Sequence, residues 1–128
     1  MKNVVIGIQN GLLAEAITAM LSSNGEFRPY RAKNGKRSSV AQDCLLVNAD
    51  ILLLEATYAE DCNVEAGLRE SRKVRSKLPN CKIVFLCDES SAPDIAQDIR
   101  NAKKEGSIDA FFYTSVSSSY LLAALDTL

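Results

Sequence analysis

Asp50-Ile51-Leu52-Leu53-Leu54-Glu55-Ala56 is the stretch whose reading decides the fold. Ile51 to Leu54 is continuously apolar, which fits a strand covered on both faces, as in a parallel sheet between helical layers. Its end carries a carboxylate, Glu55. In open sheets of this kind ligands collect at the carboxyl ends of the strands.

The chain on either side alternates between strand and helix patterns. Upstream, Val4 to Ile8 reads as a short apolar strand, and Leu12, Leu13, Ala16, Ile17, Met20 and Leu21 follow helical spacing up to Asn24-Gly25. Phe27 to Ala32 is a second strand, and Pro29 within it indicates a sheet edge, because a central strand would lose a ladder bond there. The polar turn 33–37 leads to Ser38 or Ser39, either able to cap a short helix carrying Val40, Cys44 and Val47.

Downstream, Val64, Leu68, Ser71, Val74, Arg75 and Leu78 mark one side of a longer helix that Pro79-Asn80 stops. Lys82 to Cys87 is another buried strand. Ser91-Ala92-Pro93-Asp94 reads as the start of a helix with Ile95, Ile99 and Ala102 inward and Gly106 at its exit. Ala110 to Tyr113 gives a fifth strand. Ser117 caps a last helix with Leu121, Leu125 and Leu128 inward, and Val116 is placed to staple against Leu121. Five strand–helix units with right-handed crossovers make an α/β fold: a five-stranded parallel sheet, order 2-1-3-4-5, with helices on both faces. Residues 1–128 are expected to form a single domain.

Composition narrows the function. The chain has 128 residues, 47% hydrophobic, with a formal charge of -1. That supports a core and provides no global field toward nucleic acid or anionic lipid. Aromatic residues are few and tryptophan is absent, which weakens a base-stacking role. No apolar run reaches the roughly 18 residues of a membrane span, and the start of the chain lacks a signal-peptide layout. Histidine is absent, so Cys/His zinc sites and His-dependent nucleophilic catalysis are excluded. Cys44, Cys62, Cys81 and Cys87 contain no close pair and read as reduced thiols, pointing to a cytoplasmic location.

The order of elements, with Asp50 to Glu55 as third strand, the glycine-containing approach Gly106 to Ser115 and the closing helix 117–128, resembles the receiver domain of bacterial two-component response regulators, a flavodoxin-like fold. The resemblance covers nearly the whole chain. It implies that Glu55 stands at the phosphoacceptor position. It places the acidic magnesium pocket at Gln9 and Asn10, with Ile8 the other match if the alignment moves by one residue. The hydroxyl residue ending the fourth strand falls at Cys87, followed by Asp88. The lysine ending the fifth strand falls at Thr114, and the switch aromatic at Phe111, with Phe112 adjacent.

These substitutions have physical consequences. Phosphorylating a carboxylate brings two anions together, and magnesium plus a lysine offset the repulsion. Magnesium prefers octahedral oxygen ligands including carboxylates. Gln9 and Asn10 offer neutral carbonyls, and Thr114 cannot supply the cation. For Glu55 three readings are open: a fixed conformational role in which the longer side chain partly resembles a phosphorylated aspartate, a solvated carboxylate at a strand end, or a phosphoacceptor. Asp88, Glu60 and Asp61 are the acids from which a metal site would have to be rebuilt. Cys87 reads as an inert, partly buried thiol with no cation adjacent in sequence. Gln9-Asn10-Gly11 opens the first helix without a Walker or dinucleotide pattern.

The resulting expectation is a degenerate, phosphorylation-independent receiver that is not an enzyme, has no catalytic residue, metal or cofactor, and binds protein partners. Homodimerisation through the fourth helix, fifth strand and fifth helix is expected, with Asp98, Arg100, Lys103, Lys104 and Asp109 offering charges. Basic groups lie at Arg28, Arg31, Lys33, Lys36 and Arg37 and at Arg69, Arg72, Lys73, Arg75 and Lys77. Direct DNA binding is not expected, and an effector domain beyond Leu128 would carry it in transcriptional control. The alternatives are a magnesium-dependent phosphoacceptor in a phosphorelay and a small-molecule sensor using the crevice near Gln9, Asn10, Cys87 and Asp88.

Overall fold

A computed structural model describes residues 1–32, 40–57, 63–88 and 93–128. The elements are β1 (Lys2–Gly7), α1 (Gly11–Asn24), β2 (Phe27–Arg31), α2 (Val40–Val47), β3 (Ile51–Ala56), α3 (Val64–Lys77), β4 (Lys82–Cys87), α4 (Pro93–Lys104), β5 (Ala110–Tyr113) and α5 (Ser118–Asp126). The strands form one parallel sheet in the order β2-β1-β3-β4-β5. The expected 2-1-3-4-5 architecture is the observed one. Pro29 pairs with Val4 on the edge strand β2, where its missing N–H is tolerated.

Strand alternation sorts the core into two layers. Val5, Leu52, Leu54, Ile83, Phe85 and Cys87 face one side, packing with Val40 and Cys44 of α2, Val74 of α3 and Ile99 of α4. Val4, Ile6, Ile51, Leu53, Val84 and Leu86 face the other, against Ala14, Ile17 and Leu21 of α1 and Leu121 and Leu125 of α5. All six residues of β3 are buried. By the same period of two, Glu55 lies on the face of Ile51 and Leu53, toward α1.

Local chemistry fixes the element ends. Gly25 and Gly106 both sit at φ 80°, the left-handed conformation that lets a helix exit without a Cβ penalty. The Ser117 hydroxyl accepts the Tyr120 N–H at 3.2 Å, and Val116 and Leu121 join the same apolar cluster, as the staple requires. Pro93 is the first residue of α4, while Ser91 and Ala92 lie outside the described residues, as do the turn 33–37, the alternative caps Ser38 and Ser39, and Cys62. The Lys2 ammonium donates to the carbonyls of Asp126 at 2.8 Å and of Leu128 at 3.4 Å, placing a cation at the negative end of α5.

Three expectations are corrected. Leu12 is not inward: it is 83% exposed, and Ala14 takes the buried position. On α3, Ala66, Gly67 and Glu70 are buried alongside Val64, Ser71 and Val74, so the inward stripe is broader than its apolar residues indicate. Asp109 is not available for pairing between molecules. Its carboxylate bonds the Arg75 guanidinium and accepts the Ile83 N–H at 2.8 Å. Arg75 also donates to the carbonyls of Gly106 at 2.8 Å and Ser107 at 3.1 Å, so α3 grips the turn between α4 and β5. Two further members of that basic group are paired within the chain, Arg72 with Glu65 at 3.4 Å and Lys73 with Glu70 at 3.0 Å.

Candidate functional site

The strand ends of β3, β4 and β5 and the β1–α1 turn enclose a crevice of about 590 Å³. It brings together Asn10, Glu55, Cys87 and Thr114 from the sequence reading, with Asp88 and with Thr57, which that reading missed. Gln9 reaches the site through its backbone. Ile8, the other match for the acidic pocket, belongs to the core beneath α1 and is 2% exposed. The side chains that leave the turn toward solvent are thus those of Gln9 and Asn10, both exposed.

Glu55 is not a solvated carboxylate. It is 8% exposed, and its Oε1 accepts the N–H of Gln9 at 2.6 Å and of Asn10 at 3.2 Å. The cause is local. Strand alternation aims the side chain at the β1–α1 turn, and β1 and β3 are neighbours in register, Gly7 opposite Leu54. Two consecutive backbone donors converge there just before α1, and a carboxylate is the acceptor that such a positive helix start favours. Asn10 completes the turn as the N-cap, its side-chain oxygen accepting the Leu13 N–H at 3.1 Å. The glutamate side chain thus spans from β3 to the neighbouring turn.

The remaining positions are distinct in character. Cys87 is 2% exposed, and burial raises its thiol pKa above the ordinary value. The field of Arg100 on α4 acts the other way, a cation that neighbouring sequence could not reveal. Burial also pushes the Cys81 thiol up to about 11 and Cys44 well above its usual range, so all three are poor thiolates. Thr114 is exposed, and its N–H donates to the Cys87 carbonyl at 2.9 Å, tying β5 to β4.

The two aromatic alternatives point to opposite layers. Phe111 packs with the α2–α3–α4 layer, edge-on to Tyr113 at 6.1 Å, with the Lys103 ammonium 6.0 Å from its ring centre. Phe112 packs with the α1–α5 layer against Tyr120, ring centres 6.0 Å apart. Glu60 and Asp61 lie outside the described residues. Among the described residues no group of three or more Cys, Asp or Glu side chains is placed to hold a metal ion.

Solved structures of receiver domains superpose on nearly the whole chain. The receiver domain of AraT, a response regulator from Geobacillus stearothermophilus, is 16% identical with a TM-score of 0.73, covering 98% of this chain and 91% of its own. The BeF3-activated N-terminal receiver domain of RstA from Klebsiella pneumoniae is 15% identical with a TM-score of 0.75, covering 99% and 97%. The signal receiver domain of the response regulator NarL from Mycobacterium tuberculosis is 18% identical with a TM-score of 0.73, covering 98% and 94%. No protein-family model matches the chain, and no curated protein matches it in sequence. The chain therefore has the receiver-domain fold, and the crevice lies at the strand ends where such a fold gathers ligands.

Proposed function

We propose that this chain is a receiver-like signalling module that acts through protein partners without a phosphorylation cycle. The observation that carries the reading is Glu55, whose carboxylate is already an internal ligand of the Gln9 and Asn10 amides. A nucleophile must present a free oxygen to phosphorus, with a cation to offset the incoming charge. Here Oε1 is held by the Gln9 and Asn10 amides, the β1–α1 turn presents neutral side chains, and a threonine ends the approach of β5. The residues at the turn do not fit a magnesium site, which favours several carboxylate oxygens at short range. The carboxylate instead holds β3 and the start of α1 in one arrangement, a role that charge and length suffice to fill.

The partner surface in this reading is the α4–β5–α5 face, in a cytoplasmic regulator of an attached or separate effector. Arg100, Lys103 and Lys104 lie on it together with Asp94, Asp98 and Asp126, so it carries charges of both signs, and the half-buried strand Ala110–Tyr113 forms the open sheet edge. Arg100 there donates to the Tyr113 hydroxyl at 3.2 Å, so α4 and β5 present a joined surface.

The test is intact-mass spectrometry after incubation with magnesium and a small acyl phosphate, comparing the wild type with Glu55→Gln. The expected result is no phosphate-sized mass gain in either protein. A gain in the wild type that the substitution abolishes would overturn the proposal and establish acyl-phosphate chemistry on Glu55.

A further inference from the structure

Helices α1 and α5 do not meet evenly along their length. A cavity of about 200 Å³ lies between them, with buried Ile17, Leu86 and Leu121 as its floor and half-buried Leu13, Met20 and Val116 at its sides. At this level α1 offers Ala16 and the start of α5 offers Ser117 and Ser118, whose short side chains leave the space unfilled. Further along the same helices Leu21 and Leu125 are fully buried in the same apolar layer, and neither lines the cavity. The cavity opens to solvent past Ala16, Ser117 and Ser118, all of them exposed.

The chemistry of this cavity is narrow. None of its described lining residues is charged, so an ion entering it would lose water without gaining a partner. Its apolar floor favours a ligand that covers it with apolar surface. A void of about 150 Å³ with aliphatic and aromatic walls holds a benzene-sized ring. The space between α1 and α5 thus has room for one ring and a small substituent. Polar groups stand only at the rim. The hydroxyls of Thr114 and Ser118 make no hydrogen bond among the described residues, whereas that of Ser117 is taken by the cap of α5.

From this juxtaposition we infer that the α1–α5 cavity binds a small neutral phenol, a single aromatic ring carrying a hydroxyl. The ring covers the Ile17, Leu86 and Leu121 floor, and the hydroxyl meets Thr114 and Ser118 at the rim. The floor selects the ring through burial of its apolar surface, and the uncharged walls select against ions. The two rim hydroxyls fix the orientation, as a few placed polar groups do in apolar sites. This goes beyond the signalling reading and uses neither Glu55 nor any other acid at the strand ends.

The experiment is an NMR titration of the whole chain with labelled methyl groups, without magnesium or phosphodonor, using phenol, benzoate and benzylammonium at neutral pH. Phenol is expected to shift the methyl resonances of Leu13, Ile17 and Leu121 saturably, with both ions bound about tenfold more weakly or worse. Ala16→Leu fills the cavity from an exposed helix position and should weaken phenol binding by about tenfold or more. The same change at Ala19, exposed on α1 and outside the cavity, should leave binding intact. Thr114→Val combined with Ser118→Ala should weaken phenol by about two- to tenfold, the effect of losing one hydrogen bond. Absence of saturable phenol shifts, ions that bind as tightly as phenol, or phenol binding that survives Ala16→Leu would overturn the inference, as would undiminished binding in the double variant. Self-association of the chain that Ala16→Leu abolishes, with no phenol shifts, would assign the cavity to a second copy and overturn it as well. Because no phosphoryl donor is present, none of these outcomes bears on whether Glu55 accepts phosphate.

Discussion

Phe85→Ala is expected to destabilise the fold by about 3–5 kcal/mol, the range for removing a fully buried phenylalanine. Phe85 is 0% exposed and sits at the centre of β4, paired to Leu54 on one side and Phe111 on the other. Its ring belongs to the layer between the sheet and α2, α3 and α4, where Ile83, Cys87, Ile99 and Val74 surround it in the same cluster. The core is close-packed, so the void cannot collapse without moving a strand. Domains of this size are stable by only about 5–15 kcal/mol, which makes this loss a large share of the total. Urea unfolding followed by circular dichroism would register a lower midpoint with an unchanged slope. A loss below about 1 kcal/mol would mean that the β4 layer relaxes freely, in conflict with its packing.

Arg75→Ala carries the second large effect, about 2–3 kcal/mol, because the guanidinium makes several charge-assisted contacts at once. It holds the carbonyls of Gly106 and Ser107 and the carboxylate of Asp109, and that carboxylate also fixes the Ile83 N–H at the start of β4. Removing it leaves Asp109 half-buried without its cation and frees the turn that leads into β5. Arg75→Lys should recover only part of the loss, since one ammonium cannot reproduce the planar fork. In a double-mutant cycle with Asp109→Asn the coupling should lie in the range of about 0.5–3 kcal/mol found for contacting residues. Independent, additive effects would show that the grip on the turn is not a unit.

Much of the architecture was legible because its signals are local. The apolar run Ile51 to Leu54, the proline in β2, and the exits at Gly25 and Gly106 each have a direct physical meaning, and the proline agrees with the observed order, which places β2 at an edge. Helix faces were less legible where polar or small residues turn inward. Glu70 is 6% exposed with one carboxylate oxygen lacking a partner, and hydrophobic periodicity has no means of marking it. Leu12 fails in the opposite direction: helical spacing includes it, yet it lies at the mouth of the crevice beyond the reach of the sheet.

The site positions were named from one strand end each, but their relations were not. That Glu55 turns back onto the amides of Gln9 and Asn10 depends on β1 lying beside β3 and on a side chain long enough to cross between them. Both conditions are present in the sequence, although the choice between a solvated and a docked carboxylate rests on the tertiary geometry. The Arg100 field at Cys87 and the commitment of Asp109 to Arg75 are long-range pairings of the same sort. Charged residues carry no periodic signature that announces a distant partner.

The most direct test of the docked carboxylate is the amide proton spectrum of Gln9 and Asn10 in ¹⁵N-labelled protein. In the wild type both resonances should lie downfield, Gln9 further because its bond is the shorter, and both should stay in place when magnesium and an acyl phosphate are added. Glu55→Ala should move them upfield by removing the acceptor. Resonances that ignore Glu55→Ala, or that shift in the wild type with magnesium and the phosphodonor, would contradict the account of Glu55 as a fixed internal ligand.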